Sequence, residues 1–260
     1  MQYSTFAAID IGSYDVILEI FEISKKQGIR SVDKICHRME LGKDTYTLGK
    51  IRPEMEEELC RVLADFVRIM EGYRVDDYRA TASSAISEAS NSLYVLGKIH
   101  QLTGLSVTVL SNSEQRFLSY KALAAMEDNF NKIIEKGTAI LDLDGGSFQI
   151  SLFDKDALVT TQNIRMGSLR IRERLAGIQS ETEHYEEMVE ELIWNEVSSF
   201  KKMYLKDRKI ENIMLIGDVF TDSVYQNIEE KTTKIISREN FNTWYEKIIH
   251  QLSLIHISEP

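Results

Sequence analysis

The chain has 260 residues, enough for one large domain or two of ordinary size, and its 43% hydrophobic and 28% charged residues describe a soluble globular protein. A formal net charge of −10 argues against non-specific nucleic-acid binding, and no apolar run approaches the roughly 18 residues that span a bilayer. Only two cysteines and no basic-then-apolar leader are present, which predicts a cytoplasmic protein without a disulfide framework.

The first half of the chain is predicted to open with paired strands and to continue with helices. Apolar and polar residues alternate over 5–12 and 15–24, which predicts a hairpin, and a third strand follows over 30–41. Apolar residues at helical spacing then predict a helix from Pro53. The elements predicted after it are a strand over 78–82, a helix over 90–103, a strand over 107–110 and a helix over 114–129.

The second half repeats this order after a break near 130–136. A hairpin is predicted over 138–153 and a third strand over 158–164. A helix over 181–205, a buried strand over 213–216 and a last helix over 238–252 follow. The repetition predicts two related α/β domains that face each other, with ligands in the cleft between them.

Both predicted hairpins turn through an acidic loop that contains glycine. The first contains Asp10, Gly12 and Ser13, and the second reads Asp142-Leu143-Asp144-Gly145-Gly146-Ser147. Glycine permits positive φ and a close approach of the backbone to a ligand, and successive N–H groups in such a turn form a concavity for an oxyanion. Either aspartate alone could be an ordinary turn residue, but the matched pair predicts a phosphate or metal site.

These motifs resemble the actin/Hsp70/sugar-kinase superfamily and, within it, the exopolyphosphatase and guanosine-pentaphosphate phosphohydrolase (Ppx/GppA) family. Residues 6–13 resemble the family's F-A-A-I-D-I-G-S-N-S, 84–91 its S-A-L-R-E-A-x-N, 110–116 its I-S-G-x-E-E-A, and 142–149 its D-I-G-G-G-S-T-E. Because the resemblance covers nearly the whole chain in order, the chain is identified as a member of that family.

The resemblance implies an α/β fold of two duplicated ribonuclease-H-like (actin-like ATPase) domains flanking a cleft. The first domain is expected over 1–130 and the second over 131–252, with the second truncated. Residues 253–260 resemble a translated sequencing adapter, which predicts a non-native tail, although a frayed native terminus is the alternative.

The family's two loops bind phosphates through backbone N–H groups and hydroxyls, and a divalent cation such as Mg²⁺ is expected beside the loop aspartates. The metal residues implied here are Asp10 and Asp142. The implied phosphate-binding residues are Gly12, Ser13, Asp144, Gly145, Gly146 and Ser147.

This chain departs from the family pattern at the positions implied to be catalytic. The two glutamates thought to activate water are replaced by Gln115 and Gln149. Glutamine cannot accept a proton at neutral pH, and loss of a general base typically costs about 10²–10⁴ in rate. Glu114, beside Gln115, is a candidate substitute base; alternatively it is a first-turn carboxylate that complements a helix dipole.

One positive charge that would suit a phosphate chain is missing, because Ser87 stands where the family motif S-A-L-R-E-A has its arginine. Arg165 and Arg170 could supply it, or could be ordinary surface residues.

Two functions therefore stay open. The chain could hydrolyse terminal phosphoanhydrides of polyphosphate or of guanosine penta- or tetraphosphate, or it could be a non-catalytic sensor of these ligands. No nucleic acid and no membrane is expected as a partner, and a homodimer is a candidate assembly.

Overall fold

The computed structural model describes residues 3–126, 129–179, 184–217, 237–243 and 245–246. The chain divides into two compact units, Met1–Val224 and Tyr225–Pro260. All labelled elements below belong to the first unit. In the second, residues 238–243 and 245–246 are helical; the rest of the helix predicted over 238–252 and the tail predicted over 253–260 lie outside the described residues.

The elements before residue 127 form the first half of the repeated plan. In chain order they are β1 (Ser4–Ile11), β2 (Asp15–Ser24), β3 (Gly28–Arg38), α1 (Leu41–Leu48), α2 (Pro53–Gly72), β4 (Asp77–Ala82), α3 (Ser84–Ser87), α4 (Ser92–Thr103), β5 (Val107–Val109) and α5 (Asn112–Met126). The strands make one mixed sheet, the first sheet, in the order β3-β2-β1-β4-β5. Strand β1 pairs antiparallel with β2 and parallel with β4.

The second half builds a smaller sheet on the same plan. Its elements are α6 (Phe130–Ile134), β6 (Thr138–Leu143), β7 (Phe148–Asp154), β8 (Ala157–Ile164), α7 (Ser168–Gln179), α8 (Tyr185–Tyr204) and β9 (Asn212–Ile216). The second sheet has the order β8-β7-β6-β9, with β6 antiparallel to β7 and parallel to β9. The α/β class and the repeated strand order predicted from the sequence are confirmed. The domain boundary near residue 130 stays a prediction.

Burial explains why the alternating segments are strands. The apolar residues of β1 and β2 that share one face are fully buried and pack with apolar residues of α2 and α4 in one core. The second sheet is covered by two clusters: Phe130 and Ile134 of α6 pack with Ile140, and Phe200 of α8 packs with Leu152. Each fully buried aliphatic side chain contributes about 1.5–3 kcal/mol of transfer free energy, so these faces specify the register.

The structure differs from the predicted elements in three places. The third strand ends at Arg38 instead of continuing to residue 41, because Glu40 adopts a left-handed conformation with φ 52° and α1 begins at Leu41. Helices α1, α6 and α7 were not predicted. The other predicted elements before residue 217 are present, with bounds shifted by a few residues. Across the described residues, no helix is both long enough and apolar enough to cross a bilayer.

Candidate functional site

The two acidic loops occupy equivalent positions in the two sheets. Residues 12–14 connect β1 to β2, and residues 144–147 connect β6 to β7. Each turn is closed by the same backbone hydrogen bond: Gly12 N–H donates to Asp15 O, and Asp144 N–H donates to Ser147 O, both at 3.0 Å. Each loop follows the carboxyl end of a strand that also has a parallel neighbour, which is where open α/β sheets place their ligands.

The loops meet at a cavity of about 470 Å³. A smaller cavity of about 20 Å³ lies beside it, and the two share Gln115, Asp142 and Asp144 in their walls. Of the other residues predicted for the site, the large cavity is lined by Asp10, Gly12, Ser13 and Gly145, and the small one by Ser147 and Gln149. Neither cavity is lined by Gly146 or Glu114. The structure therefore brings most of the predicted site residues together.

Gly146 packs against three hydroxyl groups from the first half of the chain. Ser13 Oγ shares hydrogen bonds with Tyr46 Oη at 2.7 Å and with Ser84 Oγ at 3.3 Å, and the latter two atoms lie 2.9 Å apart. Burial raises the pKa of Tyr46, so its hydroxyl keeps its proton. A Cβ on Gly146 would overlap the Tyr46 hydroxyl and lie 2.5 Å from Ser84 Oγ.

The Gly146 contact explains why the second loop requires glycine, and it fixes where the Ser13 hydroxyl lies. Neither Gly145 nor Gly146 has positive φ; close approach is what requires the missing side chain at Gly146. Ser13 is fully buried in the hydroxyl cluster, although it was predicted to bind phosphate. In the described part of the chain, the N–H groups of Gly145 and Gly146 donate no backbone hydrogen bond.

Arg170 holds the second loop in place. Its Nε donates to Gly146 O at 2.9 Å, and one Nη donates to both carboxylate oxygens of Glu88 at 3.0 and 3.1 Å. The guanidinium also lies 3.7 Å from the centre of the Tyr46 ring. Arg170 is therefore not the plain surface residue considered above, whereas Arg165 is 71% exposed and lies 3.7 Å from Glu88.

A second arginine of α7 joins the two halves of the chain near the cavity. Arg172 donates to both carboxylate oxygens of Glu40 and, at 3.2 Å, to the Tyr14 hydroxyl. The hydrogen bond from Arg172 lowers the pKa of Glu40, and the same pair raises the pKa of Arg172. Both side chains remain partly exposed, so the pair is worth about 1 kcal/mol or less.

Replacing Glu40 with glutamine is expected to change the dependence of stability on pH. Because the folded protein lowers the pKa of Glu40, the ion pair stabilises the fold above the ordinary pKa range of glutamate. That contribution is lost as the pH falls through the folded-state value. Urea unfolding of both proteins should show Glu40→Gln less stable at neutral pH by about 1 kcal/mol or less, with the difference vanishing in acid once the pH is below the lowered pKa of Glu40. Parallel pH profiles would contradict this assignment.

The polar groups nearest the second loop lie in one row across the second sheet. Asp142 on β6 is paired with Gln149 on β7, which is paired in turn with Asn163 on β8. From α5, Ser119 Oγ lies 3.5 Å from Asp142 Oδ2, and Gln115 is one turn earlier on the same helix. Gln149 is 7% exposed. An amide here can orient a water molecule but cannot take its proton.

Glu114 serves the end of a helix. Its carboxylate accepts hydrogen bonds from Ser111 N–H at 2.9 Å and from Ser111 Oγ at 2.7 Å, while its own N–H donates to Ser111 Oγ at 3.3 Å. This reciprocal pattern is a capping box. The backbone hydrogen bond, followed by the hydroxyl one, lowers the pKa of Glu114, which makes it a weaker base. Its position supports the helix-end alternative.

The carboxylates of the large cavity suit a divalent cation that also binds water and phosphate oxygens better than a cation held by protein ligands alone. Asp10 and Asp142 both line the cavity, and Asp10 Oδ1 lies 3.4 Å from Thr81 Oγ1. Across the described residues, no group of three or more His, Cys, Asp or Glu side chains is placed to hold a metal. Mg²⁺ commonly binds one or two carboxylates together with water and phosphate oxygens. The two aspartates suit that mode.

Several residues of the site were missed in the sequence. Tyr46, Ser119, Arg38 and Arg172 carry no motif, and each reaches the site from an element distant in sequence. Ile216 and Gly217, at the end of β9, also line the large cavity.

The chain is similar to curated phosphatases. A bifunctional 3-dehydroquinate synthase/phosphatase of Fusobacterium nucleatum is 22% identical over 238 residues, which is 86% of this chain and 34% of that protein. Exopolyphosphatase 1 of Mycobacterium leprae is 25% identical over 144 residues, which is 55% of this chain and 41% of that protein. The chain thus spans between a third and a half of the length of these relatives.

Solved structures share the fold. A Ppx/GppA family member of Aquifex aeolicus has a TM-score of 0.70 at 20% identity, covering 95% of this chain and 79% of that one. An exopolyphosphatase of Cytophaga hutchinsonii has a TM-score of 0.77 at 18% identity, covering 95% and 80%. The model of the Ppx/GppA phosphatase family matches residues 19–254. With nearly its whole length matched, the chain belongs to the Ppx/GppA phosphatase family.

Proposed function

We propose that this protein hydrolyses the terminal phosphoanhydride bond of polyphosphate or of a guanosine penta- or tetraphosphate. The observation that carries the proposal is the meeting of two equivalent acidic glycine loops at one cavity, with Asp10 and Asp142 in its wall. Membership of a phosphatase family supports the reaction class, and a relative named as an exopolyphosphatase supports an inorganic chain as substrate.

The loops would hold the phosphates mainly through their backbones. Gly12, Asp144 and Gly145 line the large cavity and Ser147 the small one, so these four residues are the proposed phosphate contacts. Ser13 also lines the large cavity, but its hydroxyl is buried in the hydroxyl cluster, and this cluster and the Gly146 contact hold the two loops against each other. The N–H groups of Gly12 and Asp144 close the two turns, so the loop donor proposed for the terminal phosphate is the N–H of Gly145, which donates no backbone hydrogen bond among the described residues.

Asp10 and Asp142 would hold a divalent cation such as Mg²⁺ between the loops. When bound, the cation supplies positive charge to phosphate oxygens and offsets the acidic wall of the cavity. The side chains that differ between the two halves then decide where water reacts. Asp10 is paired across the first sheet with Ile17, whereas Asp142 is paired with Gln149, so polar groups that can orient water lie on the side of the second sheet.

The proposed reaction needs no carboxylate base on the protein. A water molecule oriented by Gln115 and Gln149 attacks the terminal phosphorus, a new P–O bond forms, and the bridging P–O bond to the rest of the chain breaks. The proton of the water passes to an oxygen of the terminal phosphate, which leaves as orthophosphate, and the bridging oxygen stays with the shortened chain. Because amides cannot accept the proton, turnover is expected to be slow.

A non-catalytic sensor is the second candidate, and one observation favours it. The wall of the small cavity beside Asp142 contains four amides, and no glutamate is among the described residues that line it. The amide side chains are those of Asn112, Gln115, Gln149 and Asn163. Such a wall can bind a phosphate and leave it intact.

Phosphate release from sodium tripolyphosphate with Mg²⁺ separates the two candidates. Asp142→Ala is expected to lower the rate by roughly 10²-fold, the order found when one group that stabilises the transition state is lost. Asp65→Ala is the matched control, since Asp65 is an exposed aspartate on α2 whose partner is Arg68.

The outcome also tests binding. If the wild-type protein releases phosphate no faster than Asp142→Ala but binds tripolyphosphate in calorimetry, the sensor replaces the enzyme. If the wild-type protein binds neither tripolyphosphate nor guanosine tetraphosphate, both candidates fail.

A further inference from the structure

The large cavity is lined by four carboxylates and two cations, so it needs its arginines to accept a polyanion. The carboxylates are those of Asp10, Asp15, Asp142 and Asp144, and the cations are Arg38 and Arg172. A divalent cation between Asp10 and Asp142 offsets two of the four negative charges. The two arginines are then the groups that can contact phosphates further along the chain than the cation.

Arg172 is already committed to the protein. It makes a bidentate pair with Glu40, a hydrogen bond to the Tyr14 hydroxyl at 3.2 Å, and a contact with Glu173 at 3.0 Å. A guanidinium with three partners would lose as many interactions as it gains if it turned toward a ligand. Arg172 therefore serves to hold the wall of the cavity.

Arg38 is placed differently. The strand register sets it opposite Asp15 at the exit of the first loop, its Nε lies 3.4 Å from Asp15 Oδ1, and its side chain is 65% exposed. Its guanidinium lies 4.6 Å from the centre of the Tyr14 ring, which supports it from one side. A long ion pair whose arginine is exposed contributes little, so Arg38 can exchange Asp15 for a ligand with more charge.

We propose that Arg38 forms a second phosphate subsite, which binds a phosphate group of the substrate away from the one held between the loops. This inference rests on the proposed function. Arg38 lies on β3, two strand spacings or about 10 Å from β1 and Asp10, so it contacts the chain further along than the loops do. The subsite selects chains of three or more phosphates over orthophosphate, which reaches only the loops.

The Tyr14 ring adds a reason to favour an inorganic chain at this subsite. It is the aromatic side chain in the wall of the large cavity, and the guanidinium groups of both Arg38 and Arg172 lie over it, at 4.6 and 5.8 Å. A ring covered by cations in this way offers phosphate groups positive charge at its edge, while a nucleobase would have to displace a guanidinium to stack.

Calorimetry on the 260-residue chain with Mg²⁺ tests the subsite, using sodium tripolyphosphate and orthophosphate as the probes. Arg38→Gln is expected to raise the Kd for tripolyphosphate roughly tenfold and to leave the Kd for orthophosphate unchanged. Arg30→Gln is the matched control, because Arg30 lies on the same strand, is 63% exposed, and pairs with one carboxylate, Glu22. Arg38→Lys keeps the charge and should recover part of the affinity.

Each outcome decides the inference. Arg38→Gln binding tripolyphosphate as tightly as Arg30→Gln overturns it, and so does an equal weakening for tripolyphosphate and orthophosphate, which would show general attraction without a second subsite. Wild-type protein that binds no tripolyphosphate removes the proposed function itself, which distinguishes that failure from a failure of the subsite alone.

Discussion

Replacing both Gln115 and Gln149 with glutamate is expected to raise phosphate release from tripolyphosphate by roughly 10²–10⁴-fold. Both side chains line the small cavity that Asp142 also lines, so a carboxylate at either position would reach the water that the amides are proposed to orient. Gln149 is buried and directly opposite Asp142 across the strand pair. A glutamate there would have its pKa raised by burial and by the neighbouring carboxylate, which brings a general base toward neutral pH.

The control for this double change is Gln27→Glu with Gln101→Glu. These glutamines are exposed and lie outside both cavities, and the pair adds the same two negative charges. The rate should rise in the site variant alone. A site variant that still binds tripolyphosphate but releases phosphate no faster would show that proton acceptance is not what limits the wild-type protein. The missing positive charge at Ser87 would then be the next position to test.

Gly146→Ala is expected to destabilise the protein by about 1–3 kcal/mol and to abolish tripolyphosphate binding at ordinary ligand concentrations. The added methyl group would overlap the Tyr46 hydroxyl, and the Arg170 guanidinium that lies against the Tyr46 ring limits the movement of the ring on that side. We expect the second loop to move away from Ser13, which would separate the two halves of the proposed phosphate site. Urea unfolding and calorimetry measure the two effects.

Gly177→Ala provides the matched control for this substitution. Gly177 lies in α7, it is exposed, and a Cβ there would meet nothing within 4 Å. Alanine in an exposed helix is favoured over glycine by about 0.5–1 kcal/mol, so this variant should be slightly more stable and bind normally. A Gly146→Ala protein with wild-type stability and binding would contradict the packing of the two loops described above.

The sheets were predictable because their evidence is local. The alternation that buries Val16, Leu18 and Ile20 on one face is visible in any window of the sequence, and the register of β2 follows from it. Helix α1 was not predictable in this way, since Gly42, Thr45 and Thr47 are poor helix formers. Its stability comes from packing, with Leu41 and Thr45 buried.

The residues of the candidate site also divide into those that local sequence reveals and those that it does not. Asp10, Gly12, Asp142 and Gly145 could be found because they sit in two short motifs that repeat. The hydroxyl cluster could not, because Ser13, Tyr46 and Ser84 come from three separate elements and meet only after the chain has folded. The pairing of Arg172 with Glu40 spans both halves of the chain and leaves no spacing to recognise.

The parallel strand pairs impose an order on how the protein comes together. The hairpins β1–β2 and β6–β7 join neighbouring segments and can close in about 1–10 μs, whereas β1 must find β4 and β6 must find β9 across long stretches of chain. During synthesis the sheet of the first half can be completed once residue 109 has emerged, but the second must wait for residue 216. Each acidic glycine loop is therefore made early as a turn and positioned late, and the nascent chain spends the interval with half of its proposed ligand site built.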